Sequence, residues 1–221
     1  MAEGFIGARV GVAGGGWSRP PASPVLSAGS LHVWAADLDS APDPAAGALG
    51  RDELARAARF PRAADGVLWS RGRGILSGLL DRYATADGDD GATPPRFSIS
   101  RSGPRALFAF ARVAVGVDIE LGARLGDPAR LAGRLLGPAA GPLLADLGPE
   151  ERRSAFLGEW TAFEASRKCA GVGIWAPEPL VRPWVTGLPD CEPGAGAAAL
   201  AGGPPLELRL WAWDAEVADA Q

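Results

Sequence analysis

The chain has 221 residues, 47% of them hydrophobic and 22% charged, with a formal net charge of −4. That balance belongs to a soluble globular protein, one large fold or two small packed halves, and excludes a disordered or membrane-embedded chain. Arginines are offset by Asp and Glu and form no run, so neither a nucleic-acid nor a membrane partner is expected. Cys169 and Cys191 are the only cysteines and His32 the only histidine, none with ligand-like neighbours, which argues against a zinc site or a disulfide framework. No basic segment leads into an apolar run at the N-terminus, and the chain reads as cytoplasmic with reduced thiols.

Residues 1–30 are rich in Gly, Ala, Ser and Pro without a period, and read as a flexible extension. The GVAGGG run inside it is no dinucleotide fingerprint, because no strand leads in and no amphipathic helix leaves. LHVWAADLD (31–39) is a strand, and RDELARAARF (51–60) a short helix with acids in its first turn, ended by Pro61. A second helix runs from Asp65 to Tyr83 on an apolar face of Val67, Leu68, Ile75, Leu76, Leu79 and Leu80, weakened by Gly72 and Gly74. After a polar loop (85–95), RFSIS, ALFAFARV and AVGVDIE are successive strands, with Ser102, Gly103 and Pro104 turning between the first two. Helices follow near 128–136 and 150–170, fragmentary structure over the Pro/Gly/Ala-rich 176–205, and a closing strand at 206–217. Two α+β halves of similar content, 31–112 and 113–221, suggest a duplicated architecture and a monomer.

In a strand, Asp118 and Glu120 of GVDIE share one face while Val117 and Ile119 share the other. Two acids side by side suit Mg²⁺, which takes hard oxygen ligands and completes its octahedron with water and phosphate oxygens; simple solvent exposure at a strand end is the alternative. On the helix FLGEWTAFEASRKCAG, Phe156, Trp160 and Phe163 form an apolar stripe, with Glu164 and Lys168 at i, i+4 on its margin. Lys168 is the only lysine in an arginine-rich chain. Alone, the pair is a surface ion pair worth about 0.3–0.5 kcal/mol.

GVDIE followed by W-T-x-x-E-A-x-x-K resembles the two signature motifs of the 4′-phosphopantetheinyl transferase superfamily. Residues 31–215 are similar to its two-halved, surfactin-synthetase-activating type, through LHVWAADLD, ELARAARF, FSISRSG and both motifs in order. The resemblance implies an α+β pseudo-dimer with coenzyme A and Mg²⁺ between its halves. It implies transfer of phosphopantetheine from coenzyme A to a serine of an acyl or peptidyl carrier protein in secondary metabolism, such as polyketide synthesis, releasing adenosine 3′,5′-bisphosphate. Asp118 and Glu120 match metal ligands. Glu164 matches the acid that completes the metal shell or activates the serine, and Lys168 the base that steadies the diphosphate and protonates the leaving group.

The chain departs from the family pattern mainly where the coenzyme is gripped. Arg101 replaces the histidine on the 3′-phosphate, with Ser100 and Ser102 as neighbouring donors. Phe163 replaces a phosphate-contacting lysine, and Leu68 an arginine whose part Arg71 or Arg73 takes. GATPP replaces Gly-Lys-Pro, and Ala140 an acid. The alternative implied is a protein of the same fold turned to another reaction on a biosynthetic intermediate, or to a non-catalytic binding role.

Overall fold

The computed structural model describes residues 14–87, 93–122, 126–177 and 179–213. Its architecture is α+β. The strands β1 (Ser30–Asp37), β2 (Arg96–Ser102) and β3 (Arg105–Ala111) are joined by β7 (Glu207–Ala212) in a four-stranded sheet of order β2-β3-β1-β7. Neighbours are antiparallel except β1 and β7, which run parallel. A second sheet, antiparallel and ordered β4-β6-β5, is built from β4 (Val115–Glu120), β5 (Trp184–Leu188) and β6 (Ala195–Leu200).

Each sheet carries one long helix on its outer face. Helix α2 (Ala63–Asp87) lays Ile75, Leu76, Leu79 and Tyr83 on Trp34, Phe108 and Phe110 of the first sheet. Helix α5 (Pro149–Cys169) lays Ala162, Ala165 and Cys169 on Ala197 and Ala199 of β6. Between the sheets, Leu31, Val33 and Leu107 meet Val115, Val117, Ile119 and Leu200. The alternation expected for GVDIE is therefore present: Val117 and Ile119 enter this inner core, and Asp118 turns toward α5.

Three further helices are short. Helix α1 (Arg51–Ala57) buries none of its residues. Helices α3 (Pro128–Leu135) and α4 (Ala140–Ala145) form with Phe156 and Leu157 a separate apolar cluster at the N-terminal half of α5. No helix among the described residues is long and apolar enough to cross a membrane.

The structure differs from the sequence expectations in the unexpected helix α4, in the extension of α2 to Asp87 and in the following places. Strands β5 and β6 occupy the 176–205 region expected to be fragmentary. Residues AGAAAL of β6 have little strand propensity of their own, and pairing on both sides together with the close approach of α5 imposes it. Of the expected extension, residues 1–13 lie outside the described residues, whereas 14–30 run mostly exposed but are anchored at points: Trp17 Nε1 donates to Pro189 O at 3.0 Å, Ser18 bridges to Trp211, and Leu26 is buried. The closing strand is confined to 207–212, with 214–221 outside the described residues.

Candidate active site

Edge strands β2 and β4 lie side by side, joined by hydroxyls. Ser98, Ser100 and Ser102 share one face of β2 by the two-residue period of a strand. Ser98 Oγ accepts the Val117 N–H at 3.1 Å, and Ser102 Oγ accepts the Leu121 N–H at 3.1 Å. Ser100 Oγ donates to Asp118 Oδ1 at 2.7 Å and Ser102 Oγ to Glu120 Oε2 at 2.9 Å. Both acids of GVDIE are thus oriented by serines of the preceding strand.

The third component comes from α5, which lies close on β4 at Gly116. A Cβ there would stand 2.0 Å from Ala165 O and 2.6 Å from Cys169 N. That approach lets Lys168 Nζ donate to Asp118 Oδ1 at 2.6 Å, Ser100 Oγ at 3.1 Å and Val117 O at 3.2 Å, using all three ammonium protons. Glu164, one turn earlier, stands 4.0 Å from Lys168 Nζ. Burial pushes its carboxyl up to about 7, with the charge of Asp118 adding to the rise and Lys168 opposing it. Glu120 is also raised, by burial first, against the Ser102 hydrogen bond.

Asp118 is 1% exposed, and its Oδ2 has no hydrogen-bond partner. A hydrogen bond between the Glu164 and Asp118 carboxyls adds to the rise of Glu164, after burial and the Asp118 charge. A buried oxygen without a donor, beside two further carboxylates, fits a hard cation. Among the described residues no three acids form a ready-made cage. Mg²⁺ does not require one, since it takes one or two carboxylates and fills its other positions with water and substrate phosphate.

Two cavities meet at Arg101, which lines both. One, about 430 Å³, is bounded by α1, α2 and β2 and includes Arg56, Trp69, Arg73, Ser100 and Arg101. The other, about 690 Å³, runs past Glu120 to Leu131, Leu135, Phe156 and Trp160. Arg101 itself donates to Gly103 O at 3.1 Å and lies over Phe60.

Of the two arginines expected to cover for Leu68, Arg73 faces the smaller cavity and bonds Glu53 Oε1 at 2.6 Å. Arg71 does not: it is tied to Asp43 Oδ1 at 2.8 Å and to the Leu38 and Asp39 carbonyls. Leu68 packs against the first core, and Ala140 is buried in the cluster around Phe156. Phe163 belongs to that cluster too, stacked on Trp160 and covered by the Arg167 guanidinium at 5.3 Å. Glu53, Arg56 and Trp69 were not expected at the site. The one hint was an apolar indole at position 69 beside Leu68 on a helix otherwise basic there.

Against curated proteins, the chain is 31% identical over 179 residues to the 4′-phosphopantetheinyl transferase HetI of Nostoc sp. (strain PCC 7120), covering 72% of this chain and 76% of that one. The chain belongs to the 4′-phosphopantetheinyl transferase family. Membership makes it a transferase enzyme, with phosphopantetheinyl transfer as its general activity. No family model matches the chain.

Proposed function

We propose that the protein transfers 4′-phosphopantetheine from coenzyme A to a serine of an acyl or peptidyl carrier protein in secondary metabolism, acting as a cytoplasmic monomer that uses Mg²⁺. The observation that carries the reading is the convergence on Asp118 of Ser100 and Lys168, beside Glu164 and Glu120, next to two cavities lined by Ser100 and Glu120. Coenzyme A is a long molecule with charge in the middle. Two cavities joined at a guanidinium suit it.

Asp118 and Glu120 would hold the cation, with Glu164 completing the shell where it is not the base, and the cation would supply positive charge to the diphosphate oxygens. Lys168 holds Asp118 and Ser100 in place, and exchange of one of these bonds for the departing phosphate oxygen would give that oxygen a proton donor as its charge grows. Where Glu164 stays outside the metal shell, its carboxylate takes the proton of the attacking serine hydroxyl, its basicity raised by burial. Arg101 holds phosphate oxygens through paired charged hydrogen bonds, replacing the positive charge that Phe163 does not supply. Ser100 and Ser102 keep the carboxylates in register with the ammonium.

The test is mass spectrometry of apo acyl and peptidyl carrier proteins incubated with the protein, coenzyme A and Mg²⁺. A phosphopantetheine mass increment on a carrier serine is expected, lost in Asp118→Ala and on chelation. Absence of any increment on several carriers, with no thermal shift from coenzyme A, overturns the reading.

A further inference from the structure

Helix α5 ends at Cys169, directly after Lys168, and the chain that leaves it folds back onto the helix. Arg167 holds it there. Its Nε donates to Gly173 O at 3.1 Å and its Nη1 to Pro177 O at 3.0 Å, while Nη2 donates to Gly173 O at 2.9 Å and to the Ile174 and Ala176 carbonyls. Arg167 is 5% exposed, lies over the Phe163 ring at 5.3 Å, and pairs with no carboxylate of the described residues. A planar guanidinium whose donors are all spent on one stretch of backbone fixes that stretch in a single arrangement.

What this loop displays is apolar. Residues 171–177, GVGIWAP, carry no charged side chain; Ile174 is exposed and Trp175 is 71% exposed, whereas every other tryptophan of the chain is buried or half-buried. A single exposed apolar residue is ordinary, but a large ring held out on a rigid backbone is the form that anchors take in protein interfaces. Its place gives it a use. Arg167 stands three residues after Glu164 and next to Lys168, and residues three and four apart are neighbours on a helix surface. The loop that Arg167 carries is therefore a wall beside the carboxylate that takes the acceptor proton, and its surface is continuous with the candidate active site. A protein acceptor brings its serine to Glu164 only by resting on what borders Glu164. Phe163, which stands where the family pattern has a lysine, supports the guanidinium that carries this wall.

We propose that the Ile174–Trp175 loop is a docking surface for the carrier protein, taking an apolar patch of the carrier next to its acceptor serine. The proposal rests on a carrier serine being the acceptor. Trp175 acts in binding the acceptor and takes no part in the bond exchange or in holding coenzyme A. Arg167 is a positioning residue, which touches neither substrate and sets the loop.

The experiment is calorimetric titration of wild type, Trp175→Ser and Trp175→Phe with apo acyl and peptidyl carrier proteins, in chelator and without coenzyme A so that no transfer occurs. Loading kinetics on the same variants follow, with carrier and coenzyme A varied in turn. Carrier binding is expected to weaken roughly 10- to 100-fold in Trp175→Ser and to stay within about 3-fold in Trp175→Phe. Both variants should melt with wild type, since the side chain is exposed. In loading, Trp175→Ser raises KM for the carrier and leaves kcat and KM for coenzyme A within about 3-fold. Wild-type carrier affinity in Trp175→Ser, or an equal rise in KM for both substrates, overturns the proposal. So does a wild-type dimer in analytical ultracentrifugation that Trp175→Ser dissolves, which would give the surface to a second copy of the chain. Ring-dependent carrier binding without loading of any carrier keeps the docking surface and removes the transferase reading. Loading with an unchanged carrier KM in Trp175→Ser does the reverse.

Discussion

Lys168 spends its three protons on Asp118, Ser100 and a backbone carbonyl, and the acid it serves is almost wholly buried. Removing the ammonium leaves Asp118 with the Ser100 hydroxyl alone and a negative charge out of water. Breaking a buried pair by deleting one partner costs about 3–5 kcal/mol. Lys168 is 33% exposed, so the loss in Lys168→Ala is set lower, at roughly 2–3 kcal/mol, read from the urea midpoint at constant slope. Carrier loading should fall at least about 100-fold, since the ammonium that positions Asp118 and Ser100 and can serve the departing oxygen is gone. Lys168→Arg should recover part of the stability and little of the rate, because a planar guanidinium cannot direct three donors to these three acceptors. Near-normal loading in Lys168→Ala would remove this residue from the chemistry.

At the scale of elements, the site depends on how closely α5 lies on β4, and that distance is set where a side chain is missing. Gly116→Ala places a methyl group 2.0 Å from Ala165 O, so helix and strand must separate. Overpacking typically costs about 1–3 kcal/mol. Because the conflict here is with backbone, the upper end or beyond is expected, together with loss of loading, as Lys168 and Glu164 move away from Asp118. A melting temperature and loading rate equal to wild type would show that α5 is not held at this point. The same contrast explains what could be read from sequence. Val117 and Ile119 against Asp118 and Glu120, and Phe156, Trp160 and Phe163 along α5, carry their periods openly because large apolar residues alternate with polar ones. The alanines of β6 carry no such signal, and only pairing with β4 and β5 makes them a strand. Arg71 and Arg73 lie about 200° apart on a helix, so one at most could face a given cavity. Sequence left that choice open because the deciding partners, Asp43 and Glu53, come from segments whose position only the fold supplies.

The molecule as a whole combines buried groups that respond to pH in opposite directions. His32, 1% exposed, sits between Tyr83 and Trp211; the Tyr83 hydroxyl accepts from Trp34 Nε1 at 3.0 Å and meets His32 Nδ1 at 2.9 Å. Burial lowers its imidazole to about 4, with Glu207 opposing and Arg209 assisting. The unfolded chain therefore takes up the proton first, and this part of the stability is complete above about pH 6.5 and lost as pH falls toward 4. Glu159 and Glu164 behave inversely. Both are raised to about 7, Glu159 by burial alone with its Oε2 unpartnered, so the folded state holds their protons and their stability is lost as pH rises from about 4.5 through 7. Glu120 is displaced in the same direction. Carboxyls outnumber the imidazole, so the metal-free protein should melt higher near pH 5.5 than near pH 8. Because these carboxyls are only about half buried, the net difference is set at about 1 kcal/mol, roughly 2–4 °C for a chain of this size. Glu159→Gln removes one of the opposing groups and should narrow the gap. Mg²⁺ binds the ionised carboxylates and so stabilises the fold more as pH rises, and with His32 acting in the same direction Glu159→Gln with millimolar Mg²⁺ should melt higher near pH 8. Differential scanning calorimetry of wild type and Glu159→Gln at both pH values, with Mg²⁺ and with chelator, separates the three contributions. A wild-type melting temperature that rises with pH in the presence of chelator would show that the carboxyls are not held protonated in the fold.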